Sequence, residues 1–231
     1  MKVTFINHSS FFVELESHCL LFDYFQGDIP QVVDKPLYVF ASHSHEDHFS
    51  PEIFQLARPG REVYYLLSDD ISPRQTPPQL REQITFVGPR RLYEVGDLKI
   101  ATLRSTDMGV AFLVQCEGKR IYHAGDLNCW EWDGAPRVQN DQMVLAYTSE
   151  LELLKDKEID VAFVPLDPRQ ERYYAQGMTL FLQAVQQPAC VFPMHMWGDY
   201  SVVPRFQTNP NYEQYAPLIQ NVSRPGQTFR I

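Results

Sequence analysis

The chain has 231 residues, of which 44% are hydrophobic, 21% charged and 13% aromatic. These fractions exclude a disordered chain, a collagen-like repeat and a coiled coil, and the length fits one large domain or two small ones. The net charge of −9 disfavours a nucleic-acid partner, because proteins that bind nucleic acids generally present a basic surface.

Short strands are predicted in the first third of the chain. They cover residues 2–6, 11–15, 19–22 and 37–41, separated by polar or turn-forming residues. The last of them is a continuous apolar run, which is typical of a strand buried on both faces. Ser50 followed by Pro51 predicts the start of a helix whose apolar face begins at Ile53.

Strands continue through the middle of the chain and then alternate with helices. The predicted strands cover residues 63–67, 84–87, 98–103, 110–117 and 120–123, with a hairpin around Gly118-Lys119 joining the last two. Helices at 138–155 and 177–186 then alternate with strands at 161–165 and 189–193, followed by an edge strand at 228–231. The order predicts an α/β (α+β) fold of sheets covered by helices. Because the proline-rich loop at 72–78 lies inside the strand series, we predict a single domain over residues 1–231.

The densest chemical signal is the segment His43-Ser44-His45-Glu46-Asp47-His48, which directly follows the buried strand at 37–41. In extended backbone His43 and His45 point to the same side, so both imidazoles can reach one metal ion. The chain then turns, which leaves Asp47 and His48 free to serve a second ion. The alternative is a polar loop whose histidines are solvated.

Two further strands end in a residue that can bind a metal. Asp126 follows the strand at 120–123 after Gly125, and His195 follows the strand at 189–193. Taken alone, Asp126 reads as a turn-capping residue and His195 as a core histidine. Active sites assemble at strand ends in sheets with helical crossovers. Because three apolar strands each end in His or Asp, we interpret both Asp126 and His195 as metal ligands.

These motifs resemble those of the metallo-β-lactamase superfamily. His43-x-His45-x-Asp47-His48 matches its HxHxDH signature, Gly125-Asp126 matches the motif of the bridging aspartate, and His195 matches the terminal histidine. The openings Asn7-His8-Ser9-Ser10-Phe11 and Leu21-Phe22-Asp23 are similar to the lactonase-like branch. The resemblance implies an αβ/βα four-layer sandwich with metal ions at one rim. It also implies that His43 and His45 hold site one, that Asp47, His48 and His195 hold site two, and that Asp126 bridges them.

One departure from the family pattern concerns site one. The family places another histidine before the strand that leads to the aspartate, where this chain has Arg104-Ser105-Thr106-Asp107-Met108-Gly109. Asp107 is a candidate oxygen ligand there, with a water molecule as the alternative. Either would weaken site one or favour Mn²⁺ or Fe²⁺ over Zn²⁺. His123 is a candidate replacement ligand or a partner of a ligand, and His8 has the same two interpretations.

Residues near the same rim are candidates for substrate binding. Arg169 follows the strand at 161–165 and could bind an anionic group, with a surface salt bridge as the alternative. Trp197 could form an aromatic wall together with Trp130 and Trp132, although packing under a loop is the commoner fate of tryptophan.

The combined interpretation is a metal-dependent hydrolase that acts through a metal-activated water on a small, anionic substrate. The bond would be a lactone or other ester, or a phosphodiester, and Asp47 or Asp126 would accept the proton. We expect one or two zinc ions, with manganese or iron as alternatives. The competing hypotheses are a non-catalytic metal-binding protein on a degenerate hydrolase scaffold and a di-iron redox protein. The oligomeric state is not predicted.

The expected location is the cytoplasm, without a membrane partner. The N-terminal residues lack the apolar stretch of a secretory signal, and no apolar run approaches the roughly 18 residues that span a bilayer. None of the four cysteines forms a CxxC pair, and Cys19, Cys116 and Cys190 lie in apolar strand-like segments. We therefore expect reduced, buried thiols.

Overall fold

The computed structural model describes residues 1–32, 34–185 and 188–231. Thirteen strands are found in these ranges. In chain order they are β1 (Lys2–Asn7), β2 (Ser10–Glu14), β3 (Cys19–Phe22), β4 (Leu37–Ala41), β5 (Val63–Ser68), β6 (Ile84–Val87), β7 (Leu92–Val95), β8 (Leu98–Arg104), β9 (Val110–Cys116), β10 (Lys119–His123), β11 (Val161–Pro165), β12 (Val191–Met194) and β13 (Thr228–Arg230).

The strands form two mixed sheets. The first has seven strands in the order β13-β1-β2-β3-β4-β5-β6, and the second has six in the order β12-β11-β10-β9-β8-β7. Pairing is parallel from β3 to β6 in the first sheet and from β10 to β12 in the second. Because the carboxyl ends of parallel strands meet at one edge, the segments that follow β3, β4, β10, β11 and β12 share a rim.

Side chains along the central strands point alternately to the two faces of the sheet, and this divides the hydrophobic core into two clusters. In β3 and β4, Leu20, Phe22, Tyr38 and Phe40 belong to the cluster between the sheets, whereas Cys19, Leu21, Leu37, Val39 and Ala41 belong to the cluster on the outer face. This period of two explains why both strands read as continuous apolar runs, since each is buried on both faces.

Helices cover the outer faces of both sheets and complete the four-layer sandwich that the family resemblance implies. The α-helices are α1 (Arg137–Leu151), α2 (Gln176–Ala184) and α3 (Val202–Gln207). Phe181 of α2 stacks on Tyr122 of the second sheet with ring centroids 5.3 Å apart. The first sheet is covered by 3₁₀ helices instead, and Phe54 of the helix Pro51–Leu56 packs 5.2 Å from Tyr65.

Several element boundaries differ from the predictions. The hairpin between β9 and β10 turns at Glu117 and Gly118, both with positive φ, rather than at Gly118-Lys119. The helix predicted to start at Ser50 is a 3₁₀ helix, with Ser50 as its N-cap accepting from Glu52. The helix predicted at 177–186 is α2, which starts one residue earlier, while residue 186 lies outside the described residues.

All four cysteines are free and buried, as expected for Cys19, Cys116 and Cys190. Burial raises the pKa of Cys19 and of Cys190 to about 11 and that of Cys116 to about 12, which disfavours their reactive thiolate forms. Within the described ranges, none of the helices has the length and apolar character needed to cross a membrane.

Candidate metal centre

Four buried polar atoms converge at the rim without a hydrogen-bond partner among the described residues. They are Nε2 of His8, His48 and His195, and Oδ1 of Asp126. Oδ1 of Asp126 lies 3.1 Å from Nε2 of His48 and 3.3 Å from Nε2 of His195. Buried polar atoms without hydrogen-bond partners are costly, and imidazole nitrogens and carboxylate oxygens gathered in this way are suited to bind a metal ion. The residues therefore fit a metal at this place.

The atoms that could hold an ion in site two come from His8, Asp47, His48 and His195, whose ligand atoms all lie within 4.8 Å of one another. Oδ2 of Asp47 lies 3.2 Å from Nε2 of His8 and 3.9 Å from Nε2 of His48. His8 reaches this group from the turn between β1 and β2. Of its two sequence interpretations, the geometry favours a ligand.

His43 and His45 could hold an ion in site one, since their Nε2 and Nδ1 atoms lie 3.0 Å apart. Oδ2 of Asp126 lies 3.4 Å from Nε2 of His43, so the two carboxylate oxygens of Asp126 face different sites. Asp107 stands where the family pattern has a histidine, and its Oδ2 is 4.0 Å from Nδ1 of His45. The side chains of His45 and Asp107 are 44% and 49% exposed, so site one is far more open than site two.

Asp23, fully buried at the end of β3, orients two of the histidines. Its Oδ2 accepts hydrogen bonds from Nδ1 of His48 at 2.7 Å and from the Ser42 hydroxyl at 2.6 Å. Nδ1 of His43 donates in turn to the Ser42 oxygen at 2.9 Å. These bonds place the proton on Nδ1 of both rings, which leaves the Nε2 lone pairs directed at the metal sites.

Asp167 has the same role for His195. Its Oδ2 accepts from Nδ1 of His195 at 2.9 Å and from Nε of Arg169 at 3.0 Å. The salt bridge considered as the alternative role of Arg169 is therefore present, but its partner is a fully buried carboxylate that also orients His195. The guanidinium lies 4.3 Å from the ring centroid of Trp197, the other predicted substrate-binding residue.

Both ring nitrogens of His123 are used by the backbone. Nε2 donates to the Ser9 carbonyl at 2.9 Å, and Nδ1 accepts from the Gly125 amide at 3.1 Å. His123 therefore has no lone pair left for a metal ion. It stabilises the turn that presents Asp126, and burial lowers its pKa, which keeps the ring neutral.

The charges of the centre favour ionised carboxylates. Burial opposes ionisation of Asp126, but His48, His43 and His195 outweigh it and hold its pKa well below the usual range. Burial likewise opposes ionisation of Asp47, but the neighbouring imidazoles of His8 and His48 outweigh it and lower its pKa. Both side chains are thus anions at neutral pH, as oxygen ligands of a cation must be.

The backbone is strained around the centre. His8, Asp23, His195 and Trp197 have φ values of 51°, 44°, 64° and 52°, in the left-handed region that non-glycine residues seldom adopt. Such conformations persist only where the surrounding structure enforces them, and they concentrate at functional sites.

A cavity of about 400 Å³ opens beside the centre. Its lining includes Asp126 and His195 of the centre together with Trp130, Trp132, Met143 and Arg169. Its size is that of a small-molecule site. The sequence interpretation did not assign a role to Asp23 or Asp167 in orienting ligands, although Asp23 directly follows the buried strand β3 and Asp167 lies two residues after β11.

Comparisons with known proteins agree with this arrangement. A family model described as a beta-lactamase superfamily domain matches residues 2–131, which is more than half of the chain. A UPF0173 metal-dependent hydrolase of Desulforamulus reducens is 25% identical over the full length of both chains. One of Alkaliphilus metalliredigens is 25% identical over 72% of this chain and 73% of its own.

A solved structure with the same fold is a metallo hydrolase from the hyperthermophilic archaeon Ignicoccus hospitalis. It is 20% identical to this chain and covers all of it, with 98% of its own length matched and a TM-score of 0.58. At this identity the likeness concerns the fold.

Proposed function

The chain belongs to the beta-lactamase superfamily and is a metal-dependent hydrolase, and we propose that its substrates are small, anionic esters, lactones or phosphodiesters. The observation that carries the proposal is the convergence of four buried atoms without partners, on His8, His48, His195 and Asp126, beside a cavity of about 400 Å³. A cavity of that size holds a small molecule rather than a polymer.

Zinc is the proposed metal for site two, whose three imidazoles and carboxylate match its preference for nitrogen ligands. Site one offers two imidazoles and the oxygens of Asp107 and Asp126, a set that also accepts Mn²⁺ or Fe²⁺. Metal ions in such a centre polarise the scissile bond and lower the pKa of water.

The protein's own contribution to the chemistry is positioning and proton transfer. Of the two carboxylates predicted to accept a proton, Asp47 is the better placed, because 27% of its side chain is exposed. Asp126 is only 6% exposed, and both of its oxygens face imidazole nitrogens. Asp126 would therefore offer one oxygen to each site, and the more accessible Asp47 would accept the proton.

The proposal is tested with protein purified without chelators. Elemental analysis should find one or two transition-metal ions per chain, and hydrolysis of phenyl acetate, γ-butyrolactone or bis(p-nitrophenyl) phosphate should disappear with chelation and return with metal. Bound metal without hydrolysis of any of these compounds would support a non-catalytic metal-binding protein instead. Absence of metal would contradict the centre itself.

Arg169 is the proposed anchor for the anionic group. Its Nε and one terminal nitrogen pair with Asp167, and 45% of its side chain remains exposed at the cavity. Replacing Arg169 with lysine removes the planar fork, and loss of a charge-assisted hydrogen bond of about 1.5–3 kcal/mol lowers kcat/KM roughly ten- to hundredfold.

The matched control is Arg172→Lys on the same 3₁₀ helix. Arg172 pairs with Asp133 at 2.6 Å and is not among the residues that line the cavity. We expect Arg172→Lys to leave kcat/KM unchanged and both variants to keep their metal. Equal kcat/KM values for Arg169→Lys and the unmodified protein would remove Arg169 from the substrate site.

A further inference from the structure

The segment Leu127–Asp133, which follows the bridging aspartate, carries two tryptophans at the cavity; we refer to it as the tryptophan loop. The rings of Trp130 and Trp132 are nearly parallel, at 7°, with centroids 6.2 Å apart. Trp130 also lies 5.3 Å from the ring of His195. Aromatic rings therefore follow one another from His195 through Trp130 to Trp132.

Two buried amide side chains hold the tryptophan loop in place. Asn140 of α1 accepts from the amide of Trp132 at 3.2 Å and donates to its carbonyl at 3.1 Å. Gln170 donates to the carbonyls of Cys129 and Glu131 at 2.7 and 3.1 Å. Asn140 is 8% exposed and Gln170 is 1% exposed, so these bonds form in a setting where they are strong.

Although the backbone of the tryptophan loop is held in place, one of its two rings remains exposed to solvent. Trp132 is 38% exposed, although its backbone is clamped by Asn140. The indole nitrogen of Trp130 donates to the Asp126 carbonyl at 2.9 Å, which fixes that ring against the centre. A loop that served only to cover the core would turn the Trp132 ring inward, because tryptophan is highly buried on average.

We propose that the tryptophan loop is a preorganised subsite for a flat, unsaturated ring on the substrate. The ring lies on Trp132, with Met143 as an apolar neighbour, while an anionic group meets Arg169. Stacking on an indole discriminates a flat ring from a puckered one of equal size. The role of this ring in turnover rests on the proposed hydrolase function, but its binding does not require hydrolysis.

The probes are benzoate and cyclohexanecarboxylate, which share their charge and approximate size but differ in planarity. Isothermal titration calorimetry on the metal-loaded protein should show benzoate binding about two- to tenfold more tightly. Trp132→Leu should equalise the two affinities, and Trp132→Phe should retain part of the preference. Equal affinities in the unmodified protein would overturn the proposal.

Asn140 acts as a positioning residue and gives a second test. Asn140→Ala should remove the preference for benzoate and lower the fluorescence anisotropy of the tryptophans, since the ring is no longer clamped. The control is Leu145→Ala, which changes an exposed residue of the same helix outside the cavity lining and should alter neither. An unchanged preference in Asn140→Ala would contradict the clamp.

Failure of this proposal is distinguishable from failure of the hydrolase function. Hydrolysis with no discrimination between the two carboxylates would refute only the ring subsite. Discrimination without hydrolysis of any tested ester or phosphodiester would leave the subsite standing and refute the proposed reaction.

Discussion

Replacing Asp126 with asparagine will remove metal from both sites and reduce hydrolysis to the level of chelated protein. One oxygen of Asp126 faces His48 and His195, and the other faces His43, so a single substitution takes a charged ligand from each site. Loss of a group that only orients a ligand already costs roughly 10–100-fold in metal affinity. We therefore expect a loss greater than about a hundredfold, measured by metal titration of the apo-protein.

The matched variant is Asp107→Asn, which changes a carboxylate that reaches site one alone. Asp107 lies 4.0 Å from His45 and is 49% exposed, so we expect only the weaker of two binding steps to be lost. His195→Ala should abolish the tighter step. Retention of two full metal equivalents in Asp126→Asn would contradict the bridging role, and two equally tight steps in the unmodified protein would contradict the inequality of the sites.

Gly109→Ala will be the most destabilising change of a glycine at the rim. A Cβ atom at this position would lie 2.0 Å from the Ser42 carbonyl oxygen and 2.6 Å from Cβ of His43, at a φ of +70°. The left-handed conformation costs roughly 1–2 kcal/mol and overpacking roughly 1–3 kcal/mol more. At roughly 2–4 °C for each kcal/mol, the Tm of the metal-free protein should fall by roughly 4–20 °C.

Gly118 provides the control for the clash. Its φ is +72°, close to that of Gly109, but a Cβ there would meet nothing within 4 Å. Gly118→Ala should therefore show only the conformational cost of roughly 1–2 kcal/mol, and it should leave metal affinity unchanged. If thermal and urea denaturation gave both variants the same loss of stability, the close approach of the His43 segment would not be what requires glycine at position 109.

Much of the centre is predictable because polar residues follow apolar strands. The segments after β4, β10 and β12 carry His43, Asp126 and His195, and parallel pairing brings these strand ends to one rim. His8 is harder to assign, because it lies in the tight turn between β1 and β2. Its approach to within 3.2 Å of Asp47 depends on how the first sheet packs at the rim.

Elements missed by the sequence interpretation depend on neighbours rather than on their own pattern. β7 (Leu92–Val95) has an 84% exposed leucine and little apolar alternation, and it is a strand through its antiparallel pairing with β8. α3 (Val202–Gln207) contains β-branched residues and a proline, which disfavour a helix, but Val202, Val203 and Phe206 are buried in the core. Tertiary packing overrides local propensity in both places.

The four rim residues with a left-handed backbone conformation lower the stability of the fold while they position side chains of the centre. Each such conformation costs on the order of 1–3 kcal/mol, and glycine would relieve it. Selection of random variants for thermal resistance alone would therefore favour glycine at Trp197, whose φ is +52° and whose side chain is half exposed. The survivors would tolerate more heat and would have lost the ring that lies against Arg169. Directed evolution of this protein needs an activity screen at every round.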